Sequence, residues 1–443
     1  MSSATFTLPW GMKDIEPVEM AKRKWIQDRT LDILQRYSFK LVEPSAIESL
    51  ETLEAKCGPG IREEIYWFKD KAGRSQGLRF DLTVGLARMV AAHQEWPLPL
   101  KLCAFSNMWR YDEPQHGRYR CFHQWDAEIF GTEDVTADAE IMALSLDVLK
   151  ALGLEQTVLR MSSRRLTEGF LESLDVPPGD KREAALRVID KLRKQPPEEL
   201  KEELVTIGLS VDTARRVLEF ASVSGKPSDT IPKVQRELSG NKTAEKGLGE
   251  LASASEALES FGCSDRCIID LSIVRGLGYY DGIVFEVYDE ASPDLGALVG
   301  GGRFDALSKT YGRDLPATGV AGGVERLLLA LEKAEKLPKT PQAPTIFVVA
   351  VDDSERPSAW KIARTLREEG LAVDFDLKKR SLRRQLEYAD SIGASYALIV
   401  GPRELHSGNF TLRDMTKRSE EEVRLAEIPQ RIAGKRKSKK TFN

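Results

Sequence analysis

At 443 residues the chain is too long for one ordinary core, and two or three domains are expected. Its hydrophobic content of 41% and charged content of 30% fit a soluble globular protein and exclude a disordered one. No apolar run approaches the roughly 20 residues needed to cross a bilayer. The net charge of -4 hides an asymmetry, because 20 Lys and Arg face 15 Asp and Glu from residue 344 onward.

The N-terminal MSSATFTLPWGMKD has no basic stretch followed by an apolar core, so no secretory signal is expected. Apolar positions at helical spacing (Met20, Trp25, Ile26, Leu31, Leu34) predict a helix from about Met20 to Tyr37. KLVEPSAIES then runs extended up to Pro44. EIYWFKD and QGLRFDLT read as two strands joined by a turn at Gly73, with a helix from Leu82 to about Ala92 after them. KLCAFSNMWRYD and RCFHQWDAEIFG are two further strands flanking the polar loop EPQHGRY. Asp138 to Leu152 predicts a helix closed by Gly153.

From Ser163 to about Asp265 the texture changes to Lys, Glu, Leu and Ala, broken at VPPGD and KQPPEE, and reads as a helical insertion. Strands return at CIIDLSIV, GIVFEVYD and GALVGGG, and a helix follows from about Gly322 to Ala334. The Pro-rich LPKTPQAP is a joint. Beyond it TIFVVAV, LAVDFDL, YALIVG and NFTLRDM alternate with helical segments Pro357–Glu369 and Leu382–Ile392, which predicts a small α/β domain. The closing GKRKSKK reads first as a solvated tail and second as an electrostatic contact for a polyanion such as RNA.

Five cysteines (Cys57, Cys103, Cys121, Cys263, Cys267) at scattered spacing argue against a disulfide framework and fit a reducing, cytoplasmic setting. Cys263 and Cys267 lack a second Cys/His pair to complete a zinc site. None of His93, His116, His123 and His406 is assigned to a metal or to base catalysis, and His123 reads as a packed strand residue.

The segment WRYDEPQHGRYRCFHQWDAEIFG sets Arg110, Arg118 and Arg120 around one loop, with Asp112, Asp126 and Glu128 beside them. Guanidinium groups stay charged and offer a planar donor fork, which suits a triphosphate. Taken alone, the arginines are better accounted for by an ordinary surface hairpin with weak salt bridges. VRGLGYYDGIVFE adds Arg275 with Tyr279 and Tyr280, although two tyrosines on a strand are also common core residues. LVGGGRFDAL supplies three glycines that permit close backbone approach, or merely a tight turn. In GVAGGVERLLLAL a helix opens with Glu325 and Arg326, and an arginine there opposes the helix dipole unless an anion offsets it.

The ordered set LRFDLT, WRYDEPQHGRYRCFHQWDAEIFG, RGLGYYDGIVFE, GGGRFDAL and GVAGGVERL resembles the histidyl-tRNA synthetases, a family of class II aminoacyl-tRNA synthetases. PWGMKD near the start and GNFTLRDMTKRSEEEV near the end extend the resemblance over nearly the whole chain. It implies an α+β protein: an antiparallel-sheet catalytic domain in two parts (1–162 and 266–335) around a helical insertion (163–265). A C-terminal α/β anticodon-binding domain (345–432) and a basic tail (433–443) complete it.

The resemblance also implies roles. Arg110 and Arg275 would be catalytic, both at the α-phosphate of ATP. Arg118 and Arg326 would hold the outer phosphates, with Asp112 and Arg120 also counted in the ATP site. Asp81, Thr83 and Gln124 would hold the α-amino group of histidine. Glu128 and Tyr280, with Tyr279 alongside, would read its imidazole. That chemistry is coherent, since a neutral imidazole has one donor and one acceptor nitrogen. Mg²⁺ would arrive on ATP as part of the substrate, with no protein metal site and no prosthetic group. The implied partners are L-histidine, ATP and tRNA(His), with no membrane partner. KLVEPSAIES matches the motif that builds the class II homodimer interface.

Several positions depart from the family pattern: Gly278 where Asp is common, Asp281 where Thr or Asn is frequent, Phe304 in place of a tyrosine, and Asp81 and Asp112 in place of Glu. The alternative reading is a non-ligase paralogue that regulates ATP phosphoribosyltransferase. Such relatives usually lack the anticodon domain and erode the Arg275 region, and this sequence keeps both. An RNA-binding sensor on the same fold would be expected to lose the phosphate-facing arginines. A threonine or proline synthetase is disfavoured by RGLGYYDG.

Overall fold

The computed structural model describes residues 7–57, 59–111, 113–114, 119–238, 240–275, 279–338 and 345–432. The chain divides into two units, Met1–Pro338 and Lys339–Asn443.

In the first unit helix α1 (Pro17–Arg36) starts on a proline, whose fixed φ suits a first turn. It buries Arg23, Ile26, Thr30, Ile33 and Leu34 along one face. Strand β1 (Lys40–Leu41) follows. Then β2 (Ile47–Ser49), α2 (Leu50–Cys57), β3 (Trp67–Lys69) and β4 (Ser75–Leu78) form a small side layer with strand order β2-β4-β3. Helix α3 (Thr83–Ala92) leads into the long hairpin of β5 (Leu100–Trp109) and β6 (Cys121–Phe130), paired in register from Leu100↔Phe130 to Trp109↔Cys121. Helix α4 (Val135–Leu152) is capped by the Asp134 side chain, which accepts the Thr136 N–H, and ends at Gly153 with φ 96°. It is buried along much of its length in the main core.

Strand β7 (Thr157–Ser163) precedes helices α5 (Arg164–Ser173), α6 (Asp180–Ile189), α7 (Pro197–Thr206) and α8 (Val211–Ala221). Strand β8 (Ser224–Gly225), α9 (Pro227–Glu237) and α10 (Lys242–Ser260) follow. The expected insertion is therefore helical except for β8. Helices α5 and α10 touch backbone to backbone: a Cβ on Gly169 would lie 2.8 Å from Ala244 Cα, and one on Gly247 2.9 Å from Leu166 Cα. The unit closes with β9 (Cys267–Asp270), β10 (Ile283–Asp289), β11 (Ala297–Arg303), α11 (Asp305–Thr310), β12 (Ala317–Gly323) and α12 (Val324–Lys333).

These strands form one nine-stranded sheet in the order β1-β5-β6-β12-β11-β10-β7-β9-β8. From β5 to β7 every pairing is antiparallel. The β1·β5 and β7·β9 pairs are parallel, so the sheet is mixed rather than purely antiparallel. Strand β12 is not expected from the sequence, which places only the helix from about Gly322 onward. ATGVAGG has poor strand propensity; its glycines are needed because neighbouring strands pass close. A Cβ on Gly319 would lie 2.7 Å from Glu128 Cγ, and one on Gly301 would strike the Gly319 carbonyl.

The second unit has β13 (Ile346–Ala350), α13 (Arg356–Glu368), β14 (Val373–Phe375), α14 (Leu382–Ser391), β15 (Tyr396–Val400), α15 (Pro402–Ser407), β16 (Asn409–Asp414) and β17 (Ser419–Arg424). The sheet order is β14-β13-β15-β16-β17, parallel through the first three strands and antiparallel after. Alternate residues of β13 face two cores, Ile346, Val348 and Ala350 in one and Phe347 and Val349 in the other. Among the described residues no helix is long and apolar enough to cross a membrane. The basic tail lies outside them.

Candidate active site

One cavity of the first unit collects residues from far apart in sequence. Asp81, Thr83, Arg110, Gln124, Arg275, Tyr279, Tyr280, and Arg326 all line it, joined by Tyr119, Phe122, Lys194, Glu286, Val299, Gly300 and Glu325. Its floor is the centre of the large sheet, where β6, β12, β11 and β10 lie side by side.

At one end stand the guanidinium groups. Arg110, just beyond β5, donates from Nε to the Phe80 carbonyl at 2.8 Å and lies over the Phe122 ring at 5.3 Å. Arg326, in the first turn of α12, donates to the Ala297 carbonyl at 2.9 Å. Arg275 donates to Glu286 Oε1 at 3.0 Å and lies 5.5 Å from the centre of the Tyr280 ring. Gly300 explains how it fits: a Cβ there would lie 3.0 Å from Arg275 Cζ and overlap its Nη1. The first glycine of the run is thus a seat for a side chain rather than part of a turn. Neighbouring Glu325 is held elsewhere, accepting from Arg23 Nη1 at 2.7 Å and from the His123 backbone N–H at 3.1 Å. Arg23 also donates to His123 Nδ1 at 2.6 Å. Burial, then the Arg23 charge, pulls the His123 pKa down to about 4, so this histidine is neutral and structural.

At the other end stand buried acids. Gln124, Asp126 and Glu128 alternate along β6 and therefore share one face. Asp126 is 0% and Glu128 1% exposed. Gln124 Nε2 donates to Asp126 Oδ1 at 2.9 Å, and the Thr83 hydroxyl reaches Asp126 Oδ2 only at 3.5 Å, a weak bond. Asp81 accepts the Val84 N–H at 3.1 Å and sits 3.5 Å from the Tyr279 hydroxyl. Burial pushes all three carboxyls up: Asp81 upward despite the Arg110 charge, Asp126 to about 8, and Glu128 well above the usual range with Asp126 adding repulsion. Glu128 Oε2 is buried without a hydrogen-bond partner among the described residues.

The family now follows from comparison with known proteins. The family described as "Histidyl-tRNA synthetase" matches residues 11–327, and "Anticodon binding domain" matches residues 345–435. The chain belongs to the histidyl-tRNA synthetases. It is 36% identical over 420 residues to "Histidine--tRNA ligase" of Pyrococcus furiosus, covering 94% of this chain and 96% of that one. It is 37% identical over 424 residues to the protein of the same name from Pyrobaculum neutrophilum, covering 95% and 97%. Among solved structures, histidyl-tRNA synthetase from Nostoc sp. PCC 7120 superposes with a TM-score of 0.84 at 27% identity, over 98% of this chain and 100% of that one.

Within this family frame, several sequence expectations change. Arg120, counted with the ATP-binding arginines, does not line the cavity; it packs on Gly11 and over the Tyr111 ring at 3.9 Å. Glu128 also lies off the cavity lining, beside Thr83, which does line it. Asp112, Arg118 and Gly278 lie outside the described residues. Two departures have structural reasons. Asp281 accepts the Asp305 and Ala306 N–H groups at 3.2 and 3.0 Å and so caps α11. Phe304 is buried edge-on to Tyr279, Tyr280 and Phe130 at 5.9, 6.4 and 6.3 Å between ring centres. It supports the two tyrosines from behind. Arg303 of the same motif pairs with buried Asp138 at 2.6 Å and is a structural residue.

Sequence reasoning missed Glu286 and Lys194 as members of this neighbourhood, and it set Asp126 beside the arginines without giving it a role. For Asp126 the signal was present in the period-2 alternation with Gln124 and Glu128. For Glu286 and Lys194 only the tertiary fold brings them in.

Proposed function

We propose that the protein is a histidine–tRNA ligase. The observation that carries the reading is the joining, in one cavity, of Arg110, Arg275 and Arg326 with the Asp81, Thr83, Gln124 and Tyr280 group. A carboxylate oxygen of histidine attacks the α-phosphorus of ATP, and the bond to the departing pyrophosphate breaks, leaving histidyl-adenylate. A terminal ribose hydroxyl of tRNA(His) then attacks the adenylate carbonyl and releases AMP. The first step requires no protein base, because the attacking carboxylate is ionised at neutral pH. Rate comes from alignment and from guanidinium charge at the phosphorus. Mg²⁺ enters with ATP as part of the substrate.

In this reading Arg110 and Arg275 flank the α-phosphate, and Arg326 meets the outer phosphates, with Arg118 and Asp112 contributing from the β5–β6 loop. Asp81, Thr83 and Gln124 receive the α-ammonium group, and Asp126, which holds Gln124, lowers the local potential when it ionises. Tyr280 meets the imidazole from the cavity lining, and Glu128, buried beside Thr83, meets the ring nitrogen that seats deepest. Glu128 Oε2, buried without a partner among the described residues, suits this role, since an unmet buried polar atom costs about 1–3 kcal/mol until a ligand satisfies it. An amino acid without ring nitrogens would leave it unsatisfied.

The retained Arg275 and the anticodon-binding segment favour the ligase over a regulatory paralogue. The protein is expected to work as a homodimer in the cytoplasm, with residues 1–162 and 266–335 as catalytic domain and 163–265 as insertion. Sedimentation showing only monomer would contradict the dimer. The deciding test is ATP–pyrophosphate exchange with each amino acid in turn, followed by charging of a tRNA(His) transcript. Histidine alone should support exchange; its failure to do so in a folded sample with Mg²⁺ would overturn the reading.

A further inference from the structure

Arg275 has φ 57°, the left-handed region that L residues with long side chains seldom adopt. Such a conformation persists only where the surroundings over-determine it. Two routes hold it, and both begin on the same short turn between α6 and α7.

The first route is direct. The carboxyl of Asp190, the residue that follows α6, feels both the charge and the backbone N–H of Arg275. The charged side chains facing Asp190 are Glu286, Lys194 and Arg275 itself. The second route runs through side chains. Arg193 and Arg160 both pair with Asp270 Oδ2, Arg160 at 2.9 Å. Their guanidinium groups lie over the Tyr288 ring at 5.2 and 5.6 Å. The Tyr288 hydroxyl donates to Glu286 Oε2, and the other oxygen of Glu286 receives Arg275 Nη1 at 3.0 Å. Lys194, the next residue of the turn, lines the cavity itself.

We infer that the 190–195 turn of the helical insertion is the positioning element for Arg275. Asp190 fixes the backbone of that arginine, and Arg193 fixes the Tyr288–Glu286 pair that aims its guanidinium. Displacement of the insertion is thereby felt directly at the phosphate-binding end of the cleft. The inference rests on the reading of Arg275 as the arginine that meets the α-phosphate. Asp190 and Arg193 act through Arg275 and are positioning residues, not catalytic ones.

The test measures histidine-dependent ATP–pyrophosphate exchange, with kcat and KM, on the full chain. Asp190→Ala should lower kcat about 10- to 100-fold, the effect of a slightly misplaced group, while the KM for histidine stays within about threefold. Asp190→Asn keeps a carbonyl acceptor and should recover most of the loss. Placed in an Arg275→Ala background, where no guanidinium is left to position, Asp190→Ala should slow exchange by no more than about twofold, because residues acting as one unit are not additive. A full, additive loss in that background would overturn the inference, as would wild-type kcat in Asp190→Ala alongside a crippled Arg275→Ala. Wild-type exchange in Arg275→Ala would instead remove the underlying reading, and the inference with it. If Asp190→Ala does not fold, Arg193→Ala reads the second route: a reduced kcat at unchanged KM supports the coupling, and an unchanged kcat overturns it.

Discussion

The two ends of the cleft solve opposite electrostatic problems. At the Arg275 end three arginines each have an anchor: Glu286 for Arg275, the Phe80 carbonyl for Arg110 and the Ala297 carbonyl for Arg326. Arginine cannot discard its charge, so the fold supplies acceptors that leave the guanidinium faces aimed into the cavity. At the Asp126 end the acids have no salt bridge among the described residues, and burial outweighs the Arg110 charge and pushes their pKa values up, Asp126 to about 8. One end is charged and ready for a polyanion. The other holds acids whose ionisation burial disfavours, and a ligand with its own positive charge and ring nitrogens offsets that cost. The difference teaches that the same sheet can hold a permanent charge by pairing and a conditional one by burial.

The largest expected effect breaks the charged end. Arg275→Ala should reduce histidine-dependent exchange about 100- to 1000-fold, the cost of losing one transition-state donor, measured as kcat. Next, Gly300→Ala places a methyl group against the Arg275 guanidinium. It should cost about tenfold in kcat, with histidine binding by calorimetry little changed.

At the acid end the expectation concerns pH. Asp126 has a folded pKa of about 8 against an ordinary value of 3.8. The folded state therefore holds the proton more tightly than the unfolded chain, and that stabilisation is complete below about pH 4 and lost as pH rises through about 8. Asp126→Asn removes this term, so its melting temperature should gain on the wild type between pH 5 and pH 9 in a thermal-melt series (values on the order of the shift). A constant difference across the series would contradict a buried neutral Asp126. The smallest effect is expected of Phe304→Tyr. A hydroxyl added at this buried position should cost about 1 kcal/mol of stability, read as a melting shift of a few degrees, with exchange within about twofold.

Much of this architecture was legible in the sequence. The β5–β6 hairpin, α4 with its Gly153 stop and the α/β alternation of the second unit are local patterns, and local patterns survive folding. β12 was not legible, because its glycines are selected by the closeness of Glu128 and of β11, which no local rule contains. β17, SEEEVR, was hidden by its run of glutamates, tolerable only because it is an edge strand. Within the site the residue types at Arg110, Arg275, Tyr280 and Arg326 stood out, and the structure brings them to one cavity. What sequence could not convey was conformation: the left-handed backbone of Arg275, the seat made by Gly300 and the reach of Lys194 from the insertion. Arg120 shows the opposite failure, a residue of the right type on the right hairpin that packs against Gly11 and Tyr111 instead.

The division of labour between the two ends is tested most directly by crossing two variants. Equilibrium histidine binding and histidine-dependent exchange should be measured side by side on Arg275→Ala and Glu128→Gln. Arg275→Ala is expected to bind histidine within about threefold of wild type while losing exchange. Glu128→Gln is expected to weaken histidine binding by about tenfold or more, with exchange restored towards wild type at saturating histidine. Equal losses of binding and exchange in both variants would contradict a cleft with a phosphate end and a histidine end.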